Sequence, residues 1–406
     1  MYNMKTLPGY LTESLKEYRA EKLKLSDEDK GKLVDLDVRY DKIMSKYHVE
    51  KSHFQNVTNM KELINRYEKH IADHDDWKLT FDKIEYEHSA WESKKEYEQF
   101  MKEVDGLLND FYEFQYCFLS KYYIDKLETV KKNIQYIRDY VTGDRYLPKY
   151  FYRPSNSLYH IALQYIKENP VKPIEDLENE DKDYKRSIPA EDAVKMMQDE
   201  IDKQGYGWKV ELDPNLVPRM SVKTYKKMLI NDHSNFSPVD IDSLKRHEIN
   251  THVARKYNGL KTGLYLFLYG LHGAGRYDEG MAIYNSLDKS PKPKPNILFY
   301  ISKKIVLLKH LFEMDSDEII TFLEKTTGST TKDCVIAVVR AMRIVFWNDN
   351  YASSLDSSYL SGYEEIRKMD DSARAELLKY NIGPDQLYDL PDIKNFLKIN
   401  EFPSLI

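Results

Sequence analysis

His247, Glu248 and His252 lie together in the stretch 244–259, LKRHEINTHVARKYNG. Imidazole nitrogens hold divalent metals, and a carboxylate beside them can take a proton from water, so these residue types suggest hydrolytic chemistry. The spacing poses a difficulty. Metal-binding histidines on one helix usually stand four apart, whereas these stand five apart. At about 100° per residue, five positions turn a side chain through roughly 500°, which leaves the imidazoles about 140° apart on a regular α-helix. A π-type turn of about 4.4 residues brings them to within roughly 50°. The pair therefore predicts a helix that widens between the two histidines.

A third ligand is needed, and Glu279 in YDEGMAIY is the next acidic candidate on a helical segment. With it the set becomes two histidines and one glutamate with an open fourth position, and Glu248 is left beside the metal as general base. The intervening LKTGLYLFLYGLHGAGR can hold one helix and a glycine-rich turn, so the second helix can fold back on the first. The histidine helix has signals at both ends: Ser237 as N-cap, Pro238 at the first helical position, Asp240 three after the cap, and Asn258-Gly259 as an expected stop. A competing string, HIADHDD, sets His70 and His74 four apart beside Asp75 and Asp76. It lies in a heavily charged helix with no carboxylate placed as a base, so it reads as a solvated face.

Around these groups the chain changes character twice. Residues 1–168 form a Tyr-, Lys- and Glu-rich region whose apolar residues recur every three or four positions, as in YEQFMKEVDGLLNDFYEF, which predicts a helical bundle. An acidic, proline-containing segment, 169–189, reads as a linker, and 190–406 as the domain bearing the chemistry. There AEDAVKMMQDEIDKQG predicts a helix closed by Gly205. GWKVELDP alternates Trp208, Val210 and Leu212 like a half-buried strand, and MSVKTYKKMLIND is a second strand candidate. The expected class is mostly α (α+β), with a small sheet.

Composition narrows the partners. The 67 acidic and 61 basic residues nearly balance, against a dedicated nucleic-acid binder. No run approaches the roughly 18 apolar residues of a membrane span, and the opening residues lack the apolar core of a secretory signal, so a cytoplasmic protein is expected. Cys117 and Cys334 make no ligand pattern. Of the 33 tyrosines, most read as packing residues, because they fall at helical spacings among charges of both signs.

The segment from Trp208 to Gly259, followed by Glu279-Gly280-Met281-Ala282, resembles the microtubule-associated tyrosine carboxypeptidase family and its bacterial relatives. Those proteins carry a His-Glu-x-x-x-His helix, a closing Asn-Gly and a downstream Glu-Gly-Leu-Ala. The likeness covers about 190–367. It extends to VVRAMR, similar to the family's Arg-x-x-Arg, and to SLDSSYLSGYEEI, where Asp356, Tyr359, Leu360 and Gly362 match and Leu355 replaces the usual Lys.

This resemblance implies a zincin-like metallopeptidase domain binding one Zn2+ through His247, His252 and Glu279, with Glu248 catalytic. It implies a carboxypeptidase that releases a C-terminal Tyr or Phe from a peptide or protein tail. Arg340 and Arg343 stand three apart on one helical face, suited to clamp the substrate's terminal carboxylate, and Tyr359 joins them as a substrate-binding candidate. Two other readings remain: another zinc peptidase acting on N-termini or internal bonds, since the same string occurs in the dipeptidyl peptidase III family, or a non-catalytic helical binding protein.

Overall fold

The computed structural model describes residues 23–47, 58–80, 83–85, 91, 93–142, 153–172, 174–214, 216, 218–224, 226–311, 313–341 and 355–406. It is mostly helical with small sheets, as expected. The first region supplies long helices, Asp27–Lys46, Met60–Asp73, Lys94–Glu113 and Ser120–Thr142, then Asn156–Glu168. Their apolar stripes bury Leu33, Tyr40, Phe100, Val104, Leu107 and Phe111. Among the described residues no helix is long and apolar enough to cross a membrane.

These helices are tied to the later part of the chain through buried polar contacts. Asp37 accepts hydrogen bonds from the Tyr123 hydroxyl at 2.6 Å and from the amides of Tyr265 and Leu266 at 2.6 and 3.0 Å. It thereby satisfies donors at the start of the short helix Tyr265–Tyr269. His70, expected in a solvated face, is instead buried: Nδ1 meets Asp75 at 2.8 Å and Nε2 meets Asp317 at 3.2 Å, which staples its helix to Ser316–Thr327. Sequence spacing could not show this, because the Asp317 partner lies 247 positions away.

Burial pushes the Asp37 carboxyl up to about 7, outweighing the donors that favour its anion. The folded value lies above that of an unfolded aspartate, so this group stabilises the fold fully below about pH 4, and the contribution is lost as pH rises through about 7. Asp37→Asn removes this titration and turns an amide donor toward a backbone N–H. It is expected to cost about 1–3 kcal/mol at pH 5, with the deficit relative to wild type shrinking toward pH 8 in denaturant titrations.

Segment 174–189 contains a helix, Ile174–Glu180, a 3₁₀ turn, Lys182–Tyr184, and strand β1, Ile188–Pro189, which pairs antiparallel with β5, Asn235–Phe236. Helix Ala190–Gln204 ends at Gly205, whose φ of 69° is the left-handed conformation expected there. A second sheet has the order β2 (Lys209–Asp213), β4 (Lys227–Asn231), β3 (Met220–Lys223), with β2 parallel and β3 antiparallel to β4. MSVKTYKKMLIND is therefore two strands rather than one. The chain reverses near Lys226, which takes a φ of 53° without being glycine, so no turn signature marks it. Trp208 and Val210 point into the core as expected, while Leu212 is exposed.

The histidine helix runs from Pro238 to Lys261 without a break: α to Leu244, π over Lys245–Val253, then α again. Its start is built as expected. The Ser237 hydroxyl accepts from the Asp240 amide at 3.1 Å and the Asp240 carboxylate accepts from the Ser237 amide at 3.2 Å. The expected stop at Asn258-Gly259 is not one. The helix continues through both residues, and Gly259 is there because a Cβ would collide with the backbone carbonyl of Phe267. The left-handed residue is Gly263, with φ 80°.

After the short helix Tyr265–Tyr269 and the left-handed Gly273, the chain folds back as helix Ala274–Leu287. This helix packs on the π segment on one side and on helix Leu355–Ile366 on the other. Gly280 and Gly362 meet at the second crossing, where a Cβ on either would strike backbone of the opposite helix. Helix Asn156–Glu168 lies along Ile297–His310, and the Tyr165 hydroxyl donates to buried Glu364 at 2.5 Å.

Candidate active site

The π segment Lys245–Val253 has a structural cause in its own residues. The Thr251 hydroxyl donates at 2.9 Å to the carbonyl of Arg246, five positions back, and accepts from Asn285 Nδ2 at 2.8 Å. One side chain thus engages a carbonyl in the widened turn and anchors it to the facing helix. Thr251→Val keeps the shape and deletes both bonds. It is expected to destabilise the metal-free protein by about 1–3 kcal/mol and to weaken metal retention, read by thermal unfolding and by competition with a chelator.

The widening brings the imidazoles together, with ring centroids 5.0 Å apart. Glu279 arrives from the facing helix, its Oε2 3.8 Å from His247 Nε2 and 3.8 Å from His252 Nε2. One ligand atom from each residue lies within 4.8 Å of the others, a set that can hold a metal ion. Nitrogen and oxygen ligands at about 2.0–2.1 Å around a tetrahedral zinc stand about 3.4 Å apart, so small side-chain adjustments close the set. A second observation fits a cation. Glu279 Oε2 is buried with no hydrogen-bond partner among the described residues, an acceptor whose burial is costly unless something positive meets it.

Burial shapes the charges. It holds His247 down at about 3, helped by the neighbouring His252, so this imidazole is neutral with its lone pair available. It raises Glu279 to about 7 and also raises Glu248. His252 goes the other way, to about 10: burial opposes its charge, but Asp278, accepting from Nδ1 at 2.8 Å, more than offsets it. Glu248 is buried beside this cluster, close enough for its charge to act on both His252 and Glu279.

The remaining sequence candidates are placed unevenly. Tyr359, on helix Leu355–Ile366, hydrogen-bonds Glu279, which brings it to the ligand set. Lys304 Nζ sits 5.5 Å from the centre of its ring. Arg340 is exposed near the end of helix Thr331–Ala341, which packs on Met60–Asp73, Ile297–His310 and Ser316–Thr327. Arg343 and the side chains of Leu355 and Asp356 lie outside the described residues.

Sequence reasoning passed over Asp278 and Arg255. The only signals were an acid immediately before Glu279 and an arginine three after His252. Arg255 is fully buried, with Nε 3.2 Å from Asp278 Oδ1 and Nη2 3.0 Å from Asn381 Oδ1.

No curated protein matches the chain. The model of one family, the microtubule-associated tyrosine carboxypeptidases, matches residues 119–382, reaching further toward the N-terminus than the motif resemblance does. With well over half of its length under that match and a two-histidine, one-glutamate set inside it, the chain belongs to the microtubule-associated tyrosine carboxypeptidase family.

Proposed function

We propose that this protein is a zinc-dependent metallocarboxypeptidase that releases a C-terminal tyrosine or phenylalanine from a peptide or protein tail. The observation that supports this most directly is the convergence of His247, His252 and Glu279, with Glu248 buried beside them. The three residues would hold the ion. Bound there, zinc would supply Lewis acidity, lowering the pKa of water and offsetting charge on the scissile carbonyl oxygen.

The chain's own groups do the rest. Glu248 takes the proton of the attacking water and passes it to the leaving amine, a role that needs a carboxylate beside the metal rather than on it. Burial of the cluster lowers the local dielectric and strengthens each charge interaction within it. Tyr359, already bonded to Glu279, is the nearest of the sequence candidates for contacting substrate. The family supports exopeptidase action at a C-terminus, and that carries over to this chain as the reading to test.

Matched peptides ending in Tyr, Phe, Ala or Lys, each with a free or an amidated C-terminus, separate the possibilities. Release of Tyr and Phe from free ends only, abolished by chelation and restored by zinc, is the expected result. Cleavage of amidated peptides would overturn the carboxypeptidase reading, and full activity in metal-free protein would overturn the zinc site.

A further inference from the structure

His252 differs from His247 in what stands behind it. Its Nδ1 meets Asp278 Oδ2 at 2.8 Å, and the other oxygen of that carboxylate, Oδ1, faces Arg255 Nε at 3.2 Å. Arg255 is fully buried between the histidine helix and the segment at Asn381, where Nη2 donates to Asn381 Oδ1 at 3.0 Å and to the Ile382 carbonyl at 3.2 Å. Asn381 is itself fixed: its Nδ2 donates to the Leu268 carbonyl at 3.3 Å, and its own carbonyl accepts from the Leu271 amide at 2.9 Å. A guanidinium is donor-only and keeps its charge when buried, so it demands an acceptor on the Asp278 oxygen that faces it.

We propose that Asp278 and Arg255 form a buried positioning relay that fixes which nitrogen of His252 is free to ligate metal, anchored 126 residues away at Asn381. Arg255 faces one oxygen of Asp278 as an ion pair, outside hydrogen-bond geometry, and the other oxygen, 2.8 Å from Nδ1, is the one placed to accept from Nδ1–H. In the neutral ring that would ligate metal, the proton then sits on Nδ1 and the Nε2 lone pair faces Glu279. The inference rests on the zinc-site reading and adds to it a directional element that no single ligand contains.

The relay makes an unusual demand on an isosteric substitution. In Asp278→Asn the carbonyl oxygen must face Arg255, because an amide NH₂ there would oppose a donor. The NH₂ is thereby turned to His252 Nδ1, which becomes the acceptor, and Nε2 takes the proton. A polar, same-shaped replacement should therefore harm metal binding more than one that removes the group. Asp278→Ala leaves water or nothing behind Nδ1 and permits either tautomer, although it strips the buried arginine of its partner and should be the less stable protein.

The experiment measures zinc affinity by chelator competition, and thermal unfolding of the metal-free form, in the full chain for wild type, Asp278→Asn, Asp278→Ala and Arg255→Lys. The expected result is that Asp278→Asn loses about 10–100-fold in zinc affinity and Asp278→Ala less, while the metal-free stabilities fall in the opposite order. If Asp278→Ala does not fold, Asp278→Ser takes its place, since a hydroxyl can accept from Nδ1. Arg255→Lys, which keeps a charge but loses the fork to Asn381 and Ile382, should lower affinity with a smaller loss of stability than Asp278→Ala. Wild-type affinity in Asp278→Asn, or zinc affinities that follow metal-free stability across the variants, would overturn the relay. Absence of zinc binding by wild type would instead remove the zinc reading on which it stands.

Discussion

Glu248→Gln is expected to lower peptide hydrolysis by about 10²–10⁴-fold, while metal content stays at the wild-type level. The side chains are nearly the same size, so the buried pocket beside His252 should keep its packing; what disappears is the capacity to accept a proton from water and return it to an amine. The metal is unaffected because the proposed ligand set, His247, His252 and Glu279, does not include this residue. Kinetics on a free-ended tyrosyl peptide, with zinc analysis of the same preparation, separates the two effects. A variant that hydrolyses at the wild-type rate would sink Glu248 as base, and one that loses zinc as well would make it a ligand.

The second large effect is expected at the crossing of helices Ala274–Leu287 and Leu355–Ile366. Gly362→Ala sets a methyl group against the Arg276 carbonyl, and Gly280→Ala sets one against the backbone of Gly362. Backbone cannot rotate away as a side chain does, so the helices must part. Overpacking of this kind costs about 1–3 kcal/mol or more. The functional consequence follows from sequence adjacency: Glu279 precedes Gly280, and Tyr359, which bonds Glu279, lies on the other helix. Both variants should therefore lose zinc affinity together with stability. Gly106→Ala is the control. Gly106 lies within helix Lys94–Glu113 with open space where an added methyl group would stand, and substitution there should stabilise by about 0.5–1 kcal/mol with zinc affinity unchanged. If Gly362→Ala matches wild type in zinc affinity and unfolding, the close approach does not position the ligand.

Two other glycines show how one residue type answers different needs. Gly205 was legible as a helix stop because a left-handed C-cap is a local requirement. Gly259 looked the same in sequence, next to an asparagine after an apolar period, yet it lies inside the helix where Phe267 backbone approaches. Only the path of the following turn separates these cases.

Much of the site was legible because its logic is local. Five-residue spacing between two histidines that are to face one another, read against 3.6 residues per turn, required a wide turn, and residues 245–253 form one. Ser237, Pro238 and Asp240 announced the helix start through bonds spanning three residues. Glu279 could be chosen because a glycine-rich turn returns the chain within one helix length. Local periodicity likewise foretold the long N-terminal helices.

Contacts between distant residues were decided by tertiary structure alone. His70 has the spacing of a ligand and the neighbours of a surface residue, and it is neither, because Asp317 meets it from another helix. Lys226 reverses the chain between β3 and β4 without a glycine, so the hairpin left no sign in composition. Arg255 belongs to the site through Asp278, yet its anchor at Asn381 is 126 positions on. Sequence specifies which groups exist and how one turn of helix presents them; a partner a hundred residues away is fixed only when burial forces every polar atom to find one.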